Sequence, residues 1–89
     1  SIIGDKKLTG VPDLLVEILS PSRRSYDRRT KRARYERAGV GEFWLVDPET
    51  HVVEQLLLRR GRYAEPIVAN DRIRMRTFRG VEIDLHEVW

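Results

Sequence analysis

Eighty-nine residues make at most one small domain with a correspondingly small core. Apolar residues are 40% of the chain and charged residues 35%, the balance of a globular domain with a heavily charged surface. The absence of cysteine excludes a disulfide framework and a thiolate metal site. No run is long and apolar enough to span a membrane, and no signal-peptide pattern is present, so a cytoplasmic protein without membrane association is expected.

The whole chain, 1–89, reads as a single domain, with residues 1–10 as a connecting segment. It opens on Ser1 without a methionine, and the expectation is a domain incomplete at its N-terminal side. Residues 12–19 form a buried strand bounded by Pro12 and by Ser20-Pro21. Alternation places Asp13, Leu15, Glu17 and Leu19 on one face and Leu14, Val16 and Ile18 on the other. After a loop over 20–26, a helix capped by Ser25 or Asp27 runs to Ala38, with Gly39 as its left-handed terminating residue. Its few apolar residues, Ala33, Tyr35 and Ala38, share a face with Asp27, Lys31 and Arg34.

Phe43 to Val46 is a second buried strand, closed by a turn over 47–50. His51 to Arg59 is a third, and Arg60-Gly61 turns it into Arg62 to Val68. Residues 72–76 alternate as a half-exposed strand does. Residues 80–89 make a short strand or turn and then a helical turn packing Leu85, Val88 and Trp89. The strands at 12–19 and 43–46, joined by a helix, form a βαβ-type crossover followed by a meander, which is a mixed α/β sheet.

Charge is uneven. Between Arg23 and Arg37 eight basic residues face Asp27 and Glu36, a local +6, although the chain carries only +3. Arg28, Arg29, Arg32 and Arg34 are the candidate phosphate contacts, because a concentrated guanidinium field attracts phosphates. A plain solvated helix face accounts for the same composition.

Glu17 is the residue that needs explaining, since an ionised carboxylate among Leu, Val and Ile costs several kcal/mol unless a cation, a metal or hydrogen bonds compensate it. A metal-dependent nuclease needs carboxylates around the ion and a cation near the attacked phosphate. Glu17 and Lys31 suit two of those roles, and a simple salt bridge between them is the alternative. Asp13 shares the strand face with Glu17 and is a secondary candidate for both metal and catalytic roles. Four residues of strand nevertheless separate their Cα atoms by about 13 Å, too far for one small ion to bridge comfortably. His51 and His86 stand outside any ligand spacing and read as surface residues.

Pro12-Asp13-Leu14-Leu15-Val16-Glu17-Ile18-Leu19-Ser20-Pro21-Ser22, then Asp27, Lys31, Tyr35, Ala38-Gly39-Val40 and Glu42-Phe43-Trp44-Leu45-Val46-Asp47, resemble the core of the Uma-two family of restriction-endonuclease-like proteins. The likeness is close over roughly residues 10–50. It implies a restriction-endonuclease-like α/β fold of the PD-(D/E)XK nuclease superfamily, DNA as partner, and phosphodiester hydrolysis with Mg²⁺ or Mn²⁺. It also implies that Glu17 is the acid of the (D/E)XK half. Leu19 occupies the usual lysine position, which points to Lys31 on the next helix as the lysine. The family's metal-binding aspartate belongs to a preceding strand, expected to be lacking here, and little activity is then expected of this chain alone.

A non-catalytic nucleic-acid-binding module using the arginine-rich helix is the rival expectation, and an interaction domain for an acidic protein is a third. Sheet surface left uncovered by a lacking segment favours association into a homo-oligomer.

Overall fold

The computed structural model describes residues 2–4, 10–19 and 24–89, with side-chain surroundings for 10–19 and 28–89. In chain order these form β1 (Ile2–Gly4), β2 (Leu14–Ile18), α1 (Arg24–Ala38), β3 (Glu42–Asp47), β4 (Val52–Arg59), β5 (Arg62–Tyr63), β6 (Ile67–Ala69), β7 (Arg72–Arg74) and β8 (Glu82–Asp84), ending in a 3₁₀ turn, Leu85–Glu87. The expected connecting segment over 1–10 therefore contains a strand. β1 pairs antiparallel with β2, Ile2 opposite Val16, so a strand preceding the Glu17 strand is present, although Ile2–Gly4 contributes no carboxylate to it.

The main sheet has six strands in the order β1-β2-β3-β4-β5, with β6 also on β4, while β7 and β8 form a separate hairpin. β2 and β3 are parallel and joined through α1, as the crossover pattern predicts. This is the mixed α/β architecture consistent with a restriction-endonuclease-like fold.

Alternation in β2 and β3 divides the core between the two faces of the sheet. Leu14, Val16, Trp44, Val46 and Val53 pack against Ile73 and Leu85 of the small hairpin and its 3₁₀ turn. Leu15, Leu19, Phe43, Leu45 and Leu56 pack on the other face with Val40 and Tyr63, and Tyr35 of α1 joins them. Both middle strands thus have two buried faces, which is why they read as nearly continuous apolar runs.

Arg60 and Gly61 both have positive φ, 53° and 81°, as a two-residue hairpin turn requires. The strand expected over 62–68 is broken into β5 and β6. Leu58 pairs with Tyr63, but Gln55 pairs with Ile67, so one extra residue is accommodated around Pro66, which has no N–H for a ladder. At the C-terminus Leu85 is buried as expected, whereas Val88 is exposed. His51 stacks on Trp89 with ring centroids 4.9 Å apart.

Glu42, at the first position of β3, is only 1% exposed. Its carboxylate accepts five hydrogen bonds: from Trp44 Nε1 (2.7 Å) and Gln55 Nε2 (2.7 Å) on one oxygen, and from Arg76 N (3.0 Å), Thr77 N (2.7 Å) and Thr77 Oγ1 (2.7 Å) on the other. Burial alone would raise this carboxyl, but the bonds from Gln55, Thr77 and Trp44 outweigh it and hold the group below its ordinary value. The sign follows. A depressed folded-state pKa contributes stability above the unfolded value of 4.5, and that contribution is lost as pH falls through the lower folded value. Glu42→Gln, which turns an amide N–H₂ towards donors, is expected to lose about 1–3 kcal/mol near neutral pH. The loss should shrink in acid, and urea denaturation of both proteins across that range checks it.

Candidate active site

Glu17 occupies the fourth position of β2, on the face covered by α1. Its side chain is 13% exposed and that of Lys31 is 25% exposed. Lys31 and Tyr35 are one helical turn apart, so both side chains reach the same strand position. Lys31 Nζ lies 3.2 Å from Glu17 Oε2, and the Tyr35 hydroxyl donates to Oε1 at 3.1 Å. Two oxygens thus meet two different donors, which fixes the plane of the carboxylate.

The positions of those donors are set by the rest of the helix. The Tyr35 ring packs edge-on against Phe43, centroids 5.0 Å apart. Its carbonyl accepts from both Gly39 N and Val40 N at 3.1 Å, and Gly39 has φ 85°, the left-handed residue expected there. The helix end is therefore locked directly beside the residue that orients Glu17.

The face of α1 turned to the sheet is largely polar, which corrects the expectation built on its alanines. Ala33, Ala38 and Arg34 are exposed. Arg28, Lys31, Tyr35 and Glu36 instead meet partners outside the helix: Arg28 Nε lies 3.4 Å from Glu54 Oε2, and Glu36 accepts from the Tyr63 backbone N–H at 2.8 Å. The Asp27 side chain and the loop at 20–23 lie outside the described residues.

Glu54 is the acid that the linear reading missed. Glu17 pairs with Leu45, and Leu45 pairs with Glu54, so the two carboxylates lie in one row on the α1 face with Leu45 between them. Two strand spacings set their Cα atoms about 10 Å apart. Only the strand register brings them together, because Glu54 is 37 residues away in sequence from Glu17 and sits in an ordinary alternating strand.

Asp13 is not drawn into this group. It precedes β2 at the end of the strand remote from Glu17, where its backbone carbonyl accepts from Glu42 N at 3.1 Å and Thr77 Oγ1 at 3.4 Å. Of the four arginines, Arg29 and Arg34 are exposed and Arg32 is half-buried, while Arg28 leans to Glu54. These exposed side chains lie on the same helix that supplies Lys31.

A hard divalent cation suits this donor set. A carboxylate oxygen has two lone pairs, so each oxygen of Glu17 keeps one beyond its bond to Lys31 or Tyr35. Mg²⁺ commonly takes one or two protein carboxylates and completes its shell with water and phosphate. Among the described residues the one cluster of three metal-ligand side chains within 4.8 Å of one another is Asp71, Asp84 and His86, all exposed, with His86 Nε2 2.6 Å from Asp71 Oδ1, so His86 does not stand alone as expected.

Residues 2–86 match the model of the Uma2 family, described as "Putative restriction endonuclease". No curated protein matches the chain.

The structural weight of the constellation is measurable apart from any activity. Lys31→Met leaves the Glu17 charge beneath α1 without its cation, and a loss of about 1–3 kcal/mol is expected. Tyr35→Phe removes one neutral donor and is expected to cost about 1 kcal/mol. Chemical denaturation of the two variants checks both the size and the order of these effects.

Proposed function

The chain belongs to the Uma2 family, and from that premise we propose that it acts in metal-dependent hydrolysis of DNA phosphodiester bonds. The observation that carries the reading is the half-buried Glu17 carboxylate held between Lys31 and Tyr35 on the face that α1 covers. Glu17 would hold the metal, and Glu54 in the same row would supply the second carboxylate that was expected from a preceding strand, so activity is proposed for the chain itself, against the expectation of little. The divalent ion, Mg²⁺ or Mn²⁺, supplies charge neutralisation on the phosphate and a bound water of lowered pKa.

The chain's own residues divide the remaining work. Lys31 has three N–H donors and gives one to Glu17, which leaves two for a non-bridging phosphate oxygen or for the attacking water. A cation at that place stabilises the charge that builds up as the phosphorus is attacked. Tyr35 keeps the Glu17 carboxylate in one orientation. Arg29, Arg32 and Arg34 contact the DNA backbone and set its position relative to Glu17. Arg28 meets Glu54 through Nε, which leaves its terminal N–H groups for the same backbone. Asp13, at the remote end of β2, takes no part in this scheme.

The reading is tested by incubating plasmid and single-stranded DNA with the protein and Mg²⁺ or Mn²⁺. Cleavage that disappears with chelator and falls at least about 100-fold in Glu17→Gln and in Lys31→Met is the expected result. Salt-sensitive DNA binding without cleavage in either metal, and unaffected by Glu17→Gln, identifies a non-catalytic binding module instead.

A further inference from the structure

The arginines of α1 are not the molecule's only cationic surface. Residues 72–80 contain four arginines, Arg72, Arg74, Arg76 and Arg79, and no acid. This segment runs from β7 into the loop before β8, on the sheet face opposite α1. Met75 and Phe78 pack on the core there, together with Leu14, Val16 and Trp44.

The loop is held in one shape. Met75 N donates to Val81 O at 3.0 Å and Val81 N to Phe78 O at 3.4 Å, which closes it across its base. Gly80 has φ 82°, a conformation that suits glycine. The N–H groups of Arg76 and Thr77 turn inward to the buried Glu42 carboxylate at 3.0 and 2.7 Å. With two backbone donors facing in and the half-buried Phe78 packed against the core, the loop presents Arg76 and Arg79 to solvent.

Arg74, Arg76 and Arg79 line an open pocket whose other walls are Met75 and Gly80, with no carboxylate among them. Arg74 makes one loose contact with Glu82 at 3.8 Å, and Arg76 and Arg79 form no ion pair among the described residues. Arg76 also lines a second groove with Arg59, whose other walls include Asp13, Glu42 and Thr77. Arg76 and Arg79 are exposed and face no acid of this pocket, and a planar fork with several N–H donors matches phosphate.

We infer that the 72–80 loop is a second nucleic-acid surface, which grips the phosphodiester backbone through Arg74, Arg76 and Arg79 and is set in place by Glu42. It deepens the reading of the chain as a DNA-acting protein by adding a contact on the face away from Glu17. The loop packs on one face of the sheet and α1 on the other. The surface therefore takes a second segment of nucleic acid and binds independently of the chemistry at Glu17.

The test is fluorescence anisotropy of a labelled DNA duplex with the intact chain, in chelator, across a salt series. Arg76→Gln/Arg79→Gln is expected to weaken binding by about tenfold or more and to reduce the steepness of log affinity against log salt by about 2, one for each lost phosphate contact. Arg76→Lys/Arg79→Lys keeps both charges and is expected to retain the wild-type slope, which separates lost phosphate contacts from a damaged fold. An unchanged affinity and slope in the glutamine variant overturns the inference, and so does a wild-type chain that binds no DNA at low salt. Displacement of the DNA by inorganic phosphate at matched ionic strength would mark a small-anion pocket and overturn it. Equal binding of polyglutamate would mark an acidic-protein surface and also overturn it. Cleavage is scored separately: loss of affinity in the glutamine variant supports the second surface even if the wild type never cuts DNA, and persistence of affinity refutes it even if the wild type does.

Discussion

A helix with a charged inner face can lie on a sheet only if the sheet supplies opposite charges at matching positions. That constraint organises one side of this molecule. Lys31 and Arg28 of α1 meet Glu17 and Glu54, which flank Leu45 in a single row across three strands. Around that row, Leu15, Phe43, Leu45 and Leu56 exclude water and lower the effective dielectric. A pair in such a place is costly to desolvate, and apolar residues of similar volume often serve stability as well or better. Retaining a carboxylate, a lysine and a tyrosine there makes more sense as chemistry than as packing.

The opposite face solves a related problem differently. Glu42 is buried as deeply as the core hydrophobics, yet it is fully supplied with donors from its own strand, from β4 and from the 76–77 loop. With five hydrogen bonds its lone pairs are spoken for, and it serves as an anchor for the loop, where Glu17 keeps acceptor capacity. Two glutamates on adjoining parallel strands thus do opposite work, and the number and kind of donors around each one is the difference.

Much of this was legible in the residues. The apolar run around Glu17 marked a buried strand, Gly39 marked the helix end, and the four-residue spacing of Lys31 and Tyr35 put both on one helix face. What escaped the linear reading depended on pairing between distant segments. Glu54 joins Glu17 only through the β2-β3-β4 register. Glu42 looked like the flank of an apolar strand, because its donors come from residues up to 35 positions away. The alanines of α1 misled because short apolar side chains carry little packing preference, so the ion pairs, not Ala33 and Ala38, decided which face turned inward. The strand within residues 1–10 is short and depends for its existence on β2.

In the proposed function Glu17 holds a divalent ion while Lys31 remains beside it. Titration with Mn²⁺ followed by electron paramagnetic resonance measures this without requiring turnover. The expected result is a bound fraction of Mn²⁺ that is lost in Glu17→Gln and persists in a variant of the exposed Asp71-Asp84-His86 group. Equal Mn²⁺ binding by the wild type and Glu17→Gln, or none by either, would contradict it and leave the Glu17–Lys31 pair as a structural salt bridge.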